Sequence, residues 1–157
     1  MQLIIWLRQQ HDELMVLLLE YSRLLSERDV AQSSMELRGL ITRIAGKLKI
    51  HYAMEDHSLY QPLLAHPDAA IRALARSFQA EVGHLAAAFQ GFLDRWPSSV
   101  AIRADVDGFR ADSEEVISSV VYRILRENEE LYPPASLAMA TETGSVYQRV
   151  RATQGSR

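Results

Sequence analysis

His51-Tyr-Ala-Met-Glu55-Asp-His57-Ser-Leu-Tyr-Gln-Pro62 is the stretch on which the reading of this chain turns. Upstream of it, Leu37, Ile41, Ile44 and Leu48 recur at steps of three and four, the spacing of one face of an α-helix. Continuing those steps reaches His51 and then Glu55, because four residues nearly complete a turn of about 3.6. A histidine and a glutamate are therefore expected on the same inward stripe as the leucines and isoleucines. A carboxylate in such a place is costly unless it is paired or metal-bound. His and Glu one turn apart present neighbouring nitrogen and oxygen ligands. Three further candidate ligands stand on other helical segments: His11, His84 and Glu127.

Outward from this stretch, the periodicity predicts four helices and a tail. The first covers about residues 2–27, with Ile4, Leu7, His11, Leu14, Leu18 and Tyr21 on one face, broadened by Met15 and Leu25. The second covers about 34–65, with Ser33 or Ser34 as N-cap, and Pro62 is expected to weaken its last turns. Ala65-His66-Pro67-Asp68 reads as a turn, and Asp68 can cap a third helix over about 68–95. That helix carries Ile71, Leu74, Phe78, Val82, Leu85, Phe89 and Phe92 as its apolar stripe, with His84 beside it. The fourth is expected over about 99–131. Ile102, Val106, Phe109, Ser113, Val116, Val120, Ile124, Glu127 and Leu131 share its face up to Leu131-Tyr-Pro-Pro134.

Four long helices joined by short turns, with no competing strand pattern, predict an all-α chain folded as an antiparallel up-down-up-down four-helix bundle over residues 1–134. Residues 135–157 form an Ala-, Ser- and Thr-rich tail, with a short helix conceivable around Ser145–Arg151. The ends of the second and fourth helices rhyme: Glu55-Asp-His-Ser-Leu-Tyr-Gln-Pro62 parallels Glu127-Asn-Glu-Glu-Leu-Tyr-Pro133.

Composition narrows the classes of function. A chain of 157 residues suits one domain and can bury a sizeable core. The formal charge of −3 gives no electrostatic reason for nucleic acid as a partner. There is no cysteine, so disulfides, thiolate ligands and cysteine nucleophiles are excluded. The opening Met-Gln-Leu-Ile-Ile-Trp-Leu-Arg is too short an apolar run for a signal peptide or a membrane span, and no later stretch is long enough either. A soluble cytoplasmic protein is the expectation. No serine stands in a nucleophile motif and no glycine-rich loop opens a helix, so hydrolase and nucleotide-binding readings have no support.

His11 within Gln-His-Asp-Glu-Leu, His51-x-x-x-Glu55, a lone His84 and then Glu127 before Leu-Tyr-Pro resemble the hemerythrin-like, HHE cation-binding domains. The resemblance spans about residues 5–134. It implies iron as cofactor, with His11 and His51 serving one ion, His84 a second, and Glu55 and Glu127 bridging the two. The family's remaining histidine should stand four residues before Glu127, where this chain has Arg123. The histidine pair that oxygen-carrying hemerythrins place on the third helix is also missing, Ala80 and Ala88 standing four residues either side of His84. Glu81, one turn earlier, is a candidate substitute.

Arginine stays protonated and ligates no cation. Two divalent ions beside Glu55, Glu127 and Arg123 would leave three net positive charges in a low-dielectric core, whereas one ion leaves a single charge. The sequence therefore favours one ion, with Arg123 in place of the other. Carrying oxygen as peroxide takes two electrons and so two ferrous ions. A one-ion site is left with metal binding, sensing of oxygen, nitric oxide or peroxide, or a structural role. Partners consistent with this are a small diatomic ligand and a second copy of the chain. The rival expectation is a metal-free bundle acting as an interaction or dimerisation module, its His, Glu and Arg forming a buried polar network. His57 and His66 are expected off the ligand face, and Tyr52, Tyr60 and Tyr132 read as packing residues.

Overall fold

The computed structural model describes residues 2–27 and 29–140, and the described residues are almost entirely helical. Helix α1 spans Gln2–Glu27 and α2 spans Ser34–Met54. A π-helical turn, Glu55–Tyr60, leads into the short α3, Gln61–Ala65. Helix α4 covers Ala69–Arg95, α5 Ser99–Ala104 and α6 Val106–Arg126, and a second π-helical turn follows at Glu127–Leu131. Among the described residues, no helix is long and apolar enough to cross a membrane.

The helix ends follow local chemistry, with three departures from expectation. Ser33 stands before α2, but its side chain caps nothing. The carboxylate of Asp29 instead accepts from the Ala31 and Gln32 amides in the preceding turn. The fourth expected helix is broken: Asp105 leaves the helical conformation and its carboxylate accepts from the Gly108 amide, so α6 starts afresh. Nor does the chain leave the helix at Leu131. It continues helically through 132–140, with Ala135 and Ala138 buried. The expected short helix around 145–151 lies outside the described residues.

Both π turns have one physical cause. Proline lacks an N–H and its ring crowds the carbonyl four residues back. Pro62 follows the first turn and Pro133 and Pro134 the second. Widening the helix by one residue moves the crowded carbonyls aside, which is how a π turn accommodates them. In the second turn the Tyr132 amide donates to the carbonyl of Glu127, and the carbonyl of Asn128 accepts from the Arg8 guanidinium at 2.8 Å. The rhyme between the two helix ends is thus a shared backbone device. Each begins on a glutamate of the candidate site.

Helix α1 packs on α2 and α6, and α4 on α6, α3 and the first π turn. The residue pairings run in opposite directions along each pair. Gln10, His11 and Glu13 meet Met54, His51 and Lys47 in turn. Arg8, Tyr21 and Leu25 meet Asn128, Ser113 and Arg110. Glu81 and Arg95 meet Arg123 and Asp112.

The core falls into two apolar clusters. One is built on Leu14, Leu18, Leu37, Ile41, Ile44, Leu48, Phe109 and Ile124. The other holds Leu7, Leu59, Leu63, Phe78, Leu131 and Ala135. Each such side chain contributes about 1.5–3 kcal/mol by leaving water. Between the clusters lies a buried polar layer. His11 falls between Leu7 and Leu14, His51 between Leu48 and Leu59, and Glu127 between Ile124 and Leu131.

Candidate metal centre

Three helical stretches send inward-facing residues into this layer: α1, α2 with its π turn, and the π turn after α6. His11, His51, Glu55 and Glu127 are all nearly inaccessible to solvent. The Nε2 atoms of His11 and His51 face each other at 3.0 Å. Glu127 Oε2 lies 3.1 Å from His11 Nε2 and 3.9 Å from His51 Nε2, and Glu55 Oε1 is 3.8 Å from His51 Nε2. One ligand atom from each of His11, His51 and Glu127 falls within 4.8 Å of the others, the arrangement of residues able to hold a metal ion.

The outer partners fix the protons. His11 Nδ1 is 3.0 Å from Asn128 Oδ1, and His51 Nδ1 is 2.9 Å from Gln10 Oε1. Gln10 Nε2 in turn lies 3.5 Å from the Met54 sulfur, which holds the amide with its oxygen towards His51. An amide oxygen only accepts, so each Nδ1 carries a hydrogen and each Nε2 is turned inward, towards the other ring and Glu127 Oε2. Burial depresses the pKa of His51, with the neighbouring His11 and Arg123 adding to that against the pull of Glu127. The oxygens Glu55 Oε2 and Glu127 Oε2 are buried without a hydrogen-bond partner. Such orphaned acceptors are rare in a protein interior. A cation is the group that these donors fit.

The two glutamates are driven apart in pKa. Burial, and then the charge of Glu127, push Glu55 well above the usual carboxylate range, the Tyr132 hydrogen bond opposing them. For Glu127 burial acts in the same sense but is outweighed by the imidazoles of His11 and His51 and the charge of Arg123, which hold it down at about 2. Arg123 adds its charge to the imidazoles in keeping Glu127 ionised. Its guanidinium, 4% exposed, donates through Nε to Glu127 Oε1, through Nη1 to Glu81 Oε2 at 3.2 Å and through Nη2 to the Tyr60 hydroxyl at 2.7 Å. It also lies over the Phe78 ring, 4.7 Å from its centroid. Glu127 therefore turns one oxygen to the histidines and the other to a guanidinium.

His84 is not brought to this layer. It is exposed on α4, six residues past Phe78 and so about 120° round the helix from that buried ring. The packing of Phe78, Phe89 and Phe92 sets the rotation of α4, and it turns His84 outward. The structure thus does not bring it together with the other candidate ligands. Glu81 is half-buried, and its Oε2 is held by both Arg123 and Arg126, the latter at 2.6 Å, so it is engaged as a counter-ion. His57 is exposed, and His66 accepts from the Asp68 amide in its turn.

Sequence reasoning missed Gln10, Asn128, Tyr60 and Tyr132. Gln10 immediately precedes His11 and Asn128 follows Glu127, so adjacency to a candidate ligand was the available signal. The two tyrosines do more than pack. Tyr60 meets Arg123, and Tyr132 donates to Glu55 Oε1 at 2.8 Å while lying 3.3 Å from His11 Nε2. Their signal was the rhyme itself, since each stands five residues after its glutamate.

No curated protein matches the chain, and no solved structure does. A sequence model of the hemerythrin HHE cation binding domain matches residues 2–135, which cover the buried polar layer and every element around it. With an inward histidine–glutamate pair one turn apart and two further ligand-type residues on α1 and after α6, the chain belongs to the hemerythrin HHE cation-binding domain family.

Proposed function

We propose that the chain is a non-haem iron-binding protein holding one ion among His11, His51, Glu55 and Glu127. Its four helical columns run up, down, up and down around that ion. The observation that carries the reading is the pair of imidazole Nε2 atoms facing each other at 3.0 Å beside Glu127, with amide oxygens behind both rings. An ion that displaces any Nε2 hydrogen makes both rings ligands, their Nδ1 hydrogens still held by the outer partners. Glu127 Oε2 joins them ionised, and Glu55 joins on giving up its proton.

Arg123 decides the number of ions. Its charge already neutralises one carboxylate, so a single divalent ion leaves one net charge in the layer where two would leave three. Bound iron would supply Lewis acidity and a one-electron redox couple. That suits a response to oxygen, nitric oxide or redox state, or the handling of iron itself, in the cytoplasm. The chain's own residues hold the ion away from water between two apolar clusters. Loading the purified chain anaerobically with ferrous iron, followed by elemental analysis, tests this. One ion per chain is expected, and two ions, or none, would overturn it.

One observation favours a metal-free interaction module instead. The Arg123–Glu127 pair stabilises the ionised carboxylate with no ion present. Under that reading neither ferrous iron nor zinc raises the melting temperature.

A further inference from the structure

The two π turns place two tyrosines in corresponding positions, and the correspondence extends to what each hydroxyl faces. Tyr60 stands five residues after Glu55, and Tyr132 five residues after Glu127. The Tyr60 hydroxyl accepts from the guanidinium of Arg123 at 2.7 Å, so it already faces a cation. Around that cation stand Glu127, Glu81 and Tyr60, three oxygen donors. Arg123 stands four residues before Glu127, as His51 does before Glu55. Tyr132 is thus to the histidine half of the layer what Tyr60 is to the arginine half.

The geometry points to Tyr132 as a further ligand of the ion, making the donor set two imidazoles, two carboxylates and a phenolate. This rests on the one-ion reading above. The Tyr132 oxygen is 3.3 Å from His11 Nε2 and 2.8 Å from Glu55 Oε1, so it borders the same ring of donors. The ring itself is held in place. It stacks on His11 with centroids 5.3 Å apart and planes 13° from parallel, and the Arg8 guanidinium lies 5.7 Å from its centroid. A ring so packed fixes its oxygen, which donates to Glu55 Oε1 and lies beside His11 Nε2. On ligation the metal–oxygen bond replaces the phenolic O–H bond and the proton leaves to solvent, with no change of oxidation state. Three anionic oxygen ligands beside two imidazoles suit a hard trivalent ion better than imidazoles alone. The site would accordingly favour iron(III) over zinc, and the ferric form over the ferrous.

Iron(III), offered to the full chain as its citrate complex, tests the assignment. The loaded protein is expected to show a broad phenolate-to-iron charge-transfer band in the visible. Resonance Raman excitation in that band should enhance tyrosinate ring modes. Tyr132→Phe should lose both signals, while Tyr60→Phe, altered only on the arginine side, should keep them. Should Tyr132→Phe fold poorly, modes that persist in both Tyr60→Phe and Tyr52→Phe leave Tyr132 as the ligating tyrosine, and modes lost in either overturn the assignment. Iron bound without tyrosinate modes, or modes that survive in Tyr132→Phe, would overturn the ligand assignment and leave the one-ion reading standing. No retention of iron(III) or iron(II) by the wild-type chain would overturn both.

Discussion

The Nε2 atoms of His11 and His51 stand 3.0 Å apart, each ring held from behind at Nδ1 by the amide oxygen of Asn128 or Gln10. Two imidazole nitrogens brought this close in a dry interior suit a shared cation. The same relationship shows how much the outer amides matter. If either imidazole reversed its tautomer, an N–H would point into the ion's place.

Asn128→Ala and Gln10→Ala are therefore expected to weaken metal binding by about 10–100-fold each, the usual cost of losing a ligand's outer partner. The fold should be little changed, since neither side chain belongs to an apolar cluster. Competition titration with a chromophoric chelator measures the change. Affinities equal to that of the wild type would show that the amides do not set the tautomers.

Arg123→Ala should destabilise the metal-free chain by about 3–5 kcal/mol, because a buried carboxylate loses its partner. Added ferrous iron should recover part of the loss, about 2.7 kcal/mol at a free concentration one hundred times the dissociation constant. Arg123→His should instead raise the metal content towards two ions per chain. Denaturant melts with and without iron, and elemental analysis, read these outcomes. If the alanine variant melts like the wild type, the guanidinium is not compensating a buried charge.

His84→Ala should leave metal content and affinity unchanged, whereas His11→Ala and His51→Ala should abolish stoichiometric binding. The expectation follows from exposure: His84 faces solvent, and the other two are fully enclosed. Loss of an ion in His84→Ala would require α4 to rotate on loading.

Tyr21→Phe tests the stability of the apolar half of the fold independently of the metal. The buried Tyr21 hydroxyl lies 2.7 Å from Ser113 Oγ, and removing it strands that serine at a cost of about 1–3 kcal/mol. The double variant Tyr21→Phe with Ser113→Ala should recover most of the loss, because neither partner is then left unpaired. Tyr21 is ten residues from His11 along α1, about 15 Å, so metal affinity should not move. Unfolding curves of the single and double variants beside the wild type give the comparison.

Much of this molecule was legible from spacing alone. The steps of three and four that join Leu37 to Leu48 run on to His51 and Glu55, and those joining Ile4 to Tyr21 pass through His11. Periodicity is a local property of the chain, and so it located both the helices and the inward position of these residues. The exchange of a family histidine for Arg123 was equally visible, since identity at a fixed spacing needs no tertiary information. Local competition already blurred the boundaries. Asp105 captures the Gly108 amide and splits one expected helix, and prolines that were expected to end or weaken helices are absorbed by π turns that keep them going.

What the sequence could not decide is what depends on how the helices are rotated and on which distant segments meet. His84 sits beside an apolar stripe in sequence, yet the seating of Phe78, Phe89 and Phe92 turns it to solvent. Glu81 looked free to ligate until α6 brought Arg123 and Arg126 against it. The pairs that set the chemistry join residues far apart in the chain: Asn128 with His11, Gln10 with His51, Tyr60 with Arg123, and Tyr132 with Glu55. A hydrogen bond needs its two atoms within about 3 Å, and helical spacing fixes only the face on which a side chain stands. The distance between two faces is fixed by the packing of the apolar residues above and below them.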